Sequence, residues 1–436
     1  MTLNREVPAD RARDPHAALD GANSRSAESS MNAADADVRP SGLPSRVLGR
    51  YSTGRPGPTV VVIGAIHGNE PAGLSAIQRV LARLAAQATP LRGELVGVSG
   101  NLRALRAGRR YVDRDLNRRW TPENIAKITR GGPETSEDRE TLELLQVFVP
   151  LMRRGRVSFI DLHSTSGPST PFSCMADVLR NRPLALALPI PVVLGLEEVI
   201  EGSMLGYLCD LGHVGVAVEG GQHSDPRTVD FHESCLWLML VAAGSLAAEE
   251  VPDLEQHRAR LQGASVGVPA VCEIRHRHVV RAEDEPFTMR PGFVNFQPVT
   301  KGQVIAEHAG GPVRAPESGL MMLPRYQGQG DDGFFIARPV SRVALGVSAA
   351  LRTLRLDALV PLLPGVSRHP ERADHFVADP AIARVGVVQV FHLFGYRHVR
   401  AHAERLVFSR RTPDGRAASL PAELVEVLEA SESSAA

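Results

Sequence analysis

Four short polar clusters in this sequence hold residue types that do chemistry together. They are His67-Gly68-Asn69-Glu70, the stretch RYVDRDLNR from Arg110 to Arg118, Asp161-Leu162-His163-Ser164-Thr165, and Glu219-Gly220-Gly221-Gln222-His223. Two histidines and a carboxylate make a common catalytic zinc shell, with one position left for water or substrate. His67 and Glu70 can chelate from one turn, because the glycine between them lets the backbone fold tightly. His163 would complete the set from a neighbouring strand end. Zinc acidifies its water, and a base must take the proton. Glu219, on a rigid strand end, is the candidate base. An arginine near the metal would stabilise a developing oxyanion. A second arginine, paired with an amide, would grip a substrate carboxylate through forked hydrogen bonds.

Each cluster alone also has a plainer reading. HGNE suits a turn with Glu70 near a helix N-terminus. Asp-Leu-His suits a histidine satisfying local hydrogen bonds, and DLNR suits a surface salt-bridge turn. What separates the readings is position, because each cluster follows a predicted strand. Thr59–Ile63 (TVVVI) is a continuous β-branched run of the kind found in buried strands. Glu94–Ser99, Val157–Leu162, Val192–Leu196 and Val214–Val218 read alike. Between them, Pro71 opens a helix carrying Leu74, Ile77, Leu81 and Leu84 at helical spacing. Ser136–Leu151 reads as a second helix, and Asp225 as the cap of a third running to about Ala248. Alternating strands and helices predict an α/β fold: a mostly parallel mixed sheet with helices on both faces. In such sheets ligands bind at the carboxyl ends of the strands.

Around this core the 436 residues divide by texture. Residues 1–45 are poor in large apolar side chains and read as a disordered tail. The α/β pattern fills 46–265. Residues 266–345 carry short β-type runs with frequent Gly and Pro, which predicts a small C-terminal all-β domain. Residues 346–436 read as an extension of unknown role, with a helix over Ser348–Val360 and a strand-like VGVVQVF. Lys+Arg and Asp+Glu are both 49, so a dedicated nucleic-acid surface is not expected. Lys127 and Lys301 are the only lysines. Neither lies in a GxxxxGK[ST] loop, which excludes a Walker-type NTPase. The four cysteines form no CxxC pair, which fits a reducing compartment. No signal pattern and no apolar run of membrane-spanning length is present. A cytoplasmic protein without a membrane partner is expected.

HGNE, RYVDRDLNR, DLHST and VEGGQH, in this order, resemble the aspartoacylase/succinylglutamate desuccinylase family of zinc amidohydrolases, itself related to zinc carboxypeptidases. The resemblance spans roughly residues 45–345. GFVNFQPVTKGQVIAEHAGGPVRAPESGLMMLP and RYQGQGDDGFF are similar to the family's C-terminal β domain. The resemblance implies one zinc per chain on His67, Glu70 and His163, in a catalytic domain over 46–265. It implies Glu219 as general base and then general acid, and Arg110 as the arginine that polarises the scissile carbonyl. It also implies Asn117 and Arg118 as the pair that binds a substrate carboxylate, and Tyr326 as a tyrosine directed at the site's mouth. Asp115 and Asp161 are candidates for orienting the ligands and arginines. The expected activity is hydrolysis of an amide in a small N-acyl amino acid or related acylated amine. The expected partner is that small molecule; a homo-oligomer is the base-rate expectation for the assembly.

In one respect the sequence departs from the family's aspartate-specific members. They place an arginine about ten residues before the catalytic glutamate; Cys209 stands here, and Gly202–Gln222 holds no arginine. The resemblance therefore does not imply specificity for aspartate's side-chain carboxylate. His398 and His402 are four apart in HVRAH, metal-ligand spacing if that stretch is helical, but without the glutamate that usually follows the first histidine.

Overall fold

The computed structural model describes residues 44–281, 285–370, 372, 375–379, 387–399, 406–411, 420–425 and 427. The tail expected over 1–45 lies outside the described residues except for its last two. The first strands are β1 (Val47–Tyr51), β2 (Arg55–Gly64), β3 (Arg92–Ser99), β4 (Val157–Thr165), β5 (Phe172–Cys174), β6 (Val192–Leu194), β7 (Val214–Gln222) and β8 (Val271–Val279). After them come β9 (Thr288–Met289), β10 (Pro298–Val299), β11 (Val304–His308), β12 (Gly311–Arg314), β13 (Gly319–Met322) and β14 (Asp332–Pro339).

An 11-stranded sheet runs β1-β3-β2-β4-β7-β5-β6-β8-β14-β13-β10. Its centre, β3-β2-β4-β7, is parallel, as is β5-β6-β8. β1 and β5 join antiparallel, and so do β14, β13 and β10 at the far edge. The sheet is thus mixed, and less parallel than the alternating pattern predicted. β1 and β5 are antiparallel within the α/β part itself. After helix Leu254–Ala264 no helix separates β8 from β14 among the described residues, so the β-rich strands add to the edge as antiparallel neighbours.

The central strands are covered on both faces, which explains their unbroken apolar runs. Val60 and Val62 pack with Leu74, Ile77 and Leu84 of helix Ala72–Ala86 and with helix Arg227–Ala242. Val61 and Ile63 point the other way, onto Leu144, Leu145 and Phe148 of helix Ser136–Arg154. The two-residue period of the strand splits one run between two cores. Helix Ser136–Arg154 starts at a capping box, in which Thr135 and Asp138 each accept the other's backbone N–H at 3.1 Å. The expected helix after Asp225 begins at Arg227, whose N–H is received by Asp225 Oδ1 at 2.9 Å. It stops at Ala242, short of Ala248, where a single 3-10 turn follows (Ala248–Glu250).

The β-rich segment over 266–345 is joined to the α/β part through that sheet, since β8, β10, β13 and β14 all belong to it. Only β12-β11-β9 form a sheet of their own, over a core that includes Phe287, Phe293, Ile305 and Phe334. Beyond it, helix Arg342–Thr353, capped by Ser341, begins earlier than expected and gives way to a 3-10 turn at Leu356–Leu362. VGVVQVF is helical, not extended, over Val387–Leu393; Val385 and Gly386 lie outside the described residues. That helix packs on an antiparallel sheet, β15 (Val366–Arg368), β16 (His375–Ala378), β18 (Leu406–Arg410) and β17 (Tyr396–Val399), in that order. Phe391 stacks on Phe408 with ring centroids 3.9 Å apart. The HVRAH helix is likewise corrected: His398 falls in β17, and His402 lies outside the described residues.

Candidate metal centre and active site

His67 and Glu70 lie in the turn that follows β2, and His163 lies in β4, its parallel neighbour. The register sets Gly64 opposite Leu162, so the chain leaves β2 at the height of His163. His67 Nδ1 is 2.9 Å from Glu70 Oε1, and His163 Nδ1 is 3.1 Å from Glu70 Oε2. The donor atoms of all three lie within 4.8 Å of one another, and all three side chains are buried. The far ring nitrogens are held by carboxylates: His67 Nε2 by Asp115 Oδ1 at 3.2 Å, His163 Nε2 by Asp161 Oδ2 at 2.9 Å. Carboxylates behind imidazoles fix the ring orientation and raise its basicity as a ligand. Two imidazoles and a carboxylate with their near atoms converging form a set that can hold a metal ion.

Burial works against charge on Glu70, but His67 and His163 outweigh it and hold the carboxyl well below its usual range. Burial likewise opposes the His163 imidazolium, and Asp161 and Glu70 lift it well above its ordinary value. Gly68 earns its place through close approach. A Cβ there would lie 2.2 Å from the backbone of Ala104 and Leu105 in the helix Leu102–Ala107. The Gly68 N–H also donates to Arg110 O at 3.1 Å, which ties the HGNE turn to the arginine-bearing loop.

β7 runs parallel beside β4 and sets Glu219 opposite His163. Burial raises the Glu219 carboxyl to about 7, with His163 opposing and Glu70 adding to the rise. Its Oε2 is buried without a hydrogen-bond partner. Arg110 donates from Nε and Nη2 to Asp115 Oδ2 at 3.1 and 2.9 Å, and its Nη1 is 3.5 Å from Glu70 Oε1. Burial disfavours the Arg110 charge, but Asp115 and Glu70 outweigh that. These groups share one cavity of about 190 Å³, which Asn117 and Arg118 also line.

Residues 56–232, which carry all of these groups, match the family model described as the succinylglutamate desuccinylase/aspartoacylase catalytic domain. This stretch of the chain is similar to that catalytic domain. A curated relative named "Probable aspartoacylase", from Synechococcus sp. (strain CC9605), is 31% identical over 170 residues, 37% of this chain and 52% of its own length. A succinylglutamate desuccinylase of Pseudomonas fluorescens (strain SBW25) is 32% identical over 108 residues, 25% of this chain and 31% of its own length. The chain therefore spans about half, or less, of these relatives. Among solved structures, a succinylglutamate desuccinylase/aspartoacylase from Rhodobacter sphaeroides aligns at 20% identity and a TM-score of 0.49, covering 66% of this chain and 87% of that one.

In the stretch that matches the succinylglutamate desuccinylase/aspartoacylase model, Asn117 and Arg118 are already engaged. Asp115 Oδ1 receives the Asn117 N–H at 2.9 Å, and Asn117 Oδ1 receives the Met204 N–H at 2.8 Å. Arg118 Nη2 donates to Asp332 Oδ2 at 2.7 Å, and Arg277 Nε donates to the same carboxylate at 2.5 Å. Tyr326 is the one expected site residue that stays outside. Its hydroxyl donates to Arg290 O at 2.8 Å and receives the Phe293 N–H at 3.0 Å, so it is committed to the β-rich segment's main chain. Its neighbours reach the cavity instead. Gln327 Oε1 receives Asn69 Nδ2 at 2.9 Å, and Gln329 Oε1 receives the Arg110 N–H at 3.1 Å.

Four residues escaped the sequence reading. Asp332 braces Arg118 from β14. Gln327 and Gln329 close over the site, and only their place in RYQGQGDDGFF hinted at them. Glu137, fully buried, receives three successive backbone N–H groups, from Val112, Asp113 and Arg114, at 2.8, 3.0 and 3.1 Å. It shapes the RYVDRDLNR loop from 23 to 25 residues away, and no local signal marks it.

Proposed function

We propose that this chain is a zinc-dependent hydrolase that cleaves the amide bond of a small N-acylated amine or amino acid. The observation that carries the reading is Glu219: a carboxyl held near 7, with a buried unpartnered oxygen, facing the same cavity as the His67–Glu70–His163 cluster. A structural metal site would need no such base beside it. The donor set of two imidazoles and one carboxylate suits zinc, which supplies Lewis-acid polarisation of a carbonyl and acidifies water. His67, His163 and Glu70 would hold the ion, with Asp115 and Asp161 orienting the rings. Glu219 takes the proton of the attacking water and returns it to the leaving nitrogen. Arg110, fixed by two bonds to Asp115, meets the charge that develops on the carbonyl oxygen. Asn117 and Arg118 receive the substrate's carboxylate, with Asp332 keeping the Arg118 fork in place.

The test is metal content together with turnover. Purified chain should carry one zinc per molecule, and His67→Ala and His163→Ala should each lose it. Glu219→Gln should keep the zinc and lose about 10²–10⁴-fold in kcat on an N-acyl amino acid. Full turnover by that variant would remove Glu219 from the mechanism. A wild-type chain that takes up no zinc on reconstitution would overturn the reading.

A further inference from the structure

The short helix Leu196–Val199 forms one wall of the same cavity, through Leu196, Glu197 and the following Ile200. Glu197 has only 9% of its side chain exposed. Its Oε1 is used, receiving Arg411 Nη2 at 2.9 Å and the Asp177 N–H at 3.3 Å. Its Oε2 is buried with no partner. The adjacent Glu198 differs, because its two oxygens are taken by Arg411 Nη2 at 2.5 Å and His392 Nε2 at 3.1 Å. A buried carboxylate oxygen without a donor is costly and rare, so a donor belongs there when the site is filled.

The surrounding wall says what kind of donor. Cys174, Met175, Ala176 and Leu205 also line the cavity and offer no strong N–H or O–H side-chain donor. The Ser203 hydroxyl, also in the lining, caps the next helix by accepting the Gly206 N–H at 3.2 Å. The arginines that line the cavity, Arg110, Arg118 and Arg325, are each paired elsewhere, with Asp115, Asp332 and Glu285. With Arg118 assigned to the first carboxylate, a second substrate carboxylate would find no unpaired arginine among the described residues lining the cavity, and would meet Glu197 and Glu219. An ammonium group would supply both the missing hydrogen bond and the opposite charge.

We propose that Glu197 receives a protonated amino group of the substrate, and that Arg411, from the C-terminal segment, is the positioning residue that aims it. This rests on the deacylase reading and narrows its substrate class to N-acyl derivatives of basic amino acids or diamines. Burial, with Arg411 opposing and Glu198 adding, holds the Glu197 carboxyl above its ordinary value; a cation alongside would reverse that.

The experiment uses the zinc-loaded full chain and two products of nearly equal shape, L-ornithine and L-norleucine, with binding read by calorimetry. Kinetics on their N-acetyl derivatives run in parallel. Wild type should bind ornithine about 10–100-fold tighter than norleucine, the range of one charge-assisted hydrogen bond. Glu197→Gln should shrink that ratio below about threefold while norleucine affinity holds. Arg411→Met should raise KM for N-acetylornithine with little change in kcat. Equal binding of the two amino acids by wild type, or an undiminished ratio in Glu197→Gln, would overturn the proposal. A binding preference without turnover of any N-acyl compound would sink the deacylase reading and leave the Glu197 assignment standing; turnover without preference would do the reverse.

Discussion

Asp115 is the most heavily shared group at the site. It holds His67 Nε2, two nitrogens of Arg110 and the backbone N–H of Asn117. Burial alone would raise its carboxyl, but Arg110 and His67 hold it well below the usual range. Asp161, by contrast, orients His163 alone, and its Oδ1 has no partner. Their neutral variants should therefore part company. Asp161→Asn should weaken zinc binding about 10–100-fold and leave KM unchanged once zinc is saturating. Asp115→Asn should weaken zinc binding similarly and also raise KM, because Arg110 and Asn117 lose their anchor. Competition with a chromogenic chelator, followed by kinetics at saturating zinc, separates the two. Residues of this kind were only half legible in the sequence. Asp115 and Asp161 stood beside strong candidates, but a lone carboxylate looks the same whether it orients a ligand or merely fills a turn. Glu137 and Asp332 act across long sequence separations, so nothing near them marked their roles.

Elements, not single side chains, decide where the HGNE turn can go. The turn is pressed against the backbone of helix Leu102–Ala107 at Gly68. Gly68→Ala has no flexible neighbour to push aside, so the turn itself must shift. We expect a loss of stability of about 1–3 kcal/mol and zinc binding weakened at least tenfold, measured by thermal melting and zinc titration. A variant with wild-type zinc affinity would show that the turn has slack the packing does not reveal. The sequence reading required this glycine, but for a tight fold of the chain; the close approach could be known only once the helix was placed. VGVVQVF failed differently. A short apolar run fits a buried strand and a buried helix equally, and tertiary contact settles it: Phe391 sits on Phe408 and against Tyr396.

At the scale of the whole molecule, the C-terminal segment is bound to the α/β part by charge. Arg352 donates to Asp177 at 2.7 Å, Arg411 bridges Glu197 and Glu198, and His392 lies between Glu198 and Glu273. None of these pairings was visible in the sequence, since each joins residues more than 100 positions apart. Burial disfavours the His392 imidazolium, yet Glu198 and Glu273 lift it to about 9. Its ordinary value is about 6.5. The stabilisation it adds is therefore complete below about pH 6.5 and lost as pH rises from there through about 9. The full loss is on the order of 3 kcal/mol. Limited proteolysis of wild type should release the C-terminal segment faster at pH 9.5 than at pH 7. His392→Gln should be equally labile at both, and a wild-type rate independent of pH would contradict the assignment. The metal cluster is built on the opposite plan. Its donors come from β4 and the turn after β2, adjacent central strands packed on both faces by cores that need no ion. The cup is finished before anything is poured into it. Stripping the proposed zinc with a chelator should leave a folded, refillable chain, and the affinity measured on refilling should be that of the cup alone, with no folding free energy mixed into it.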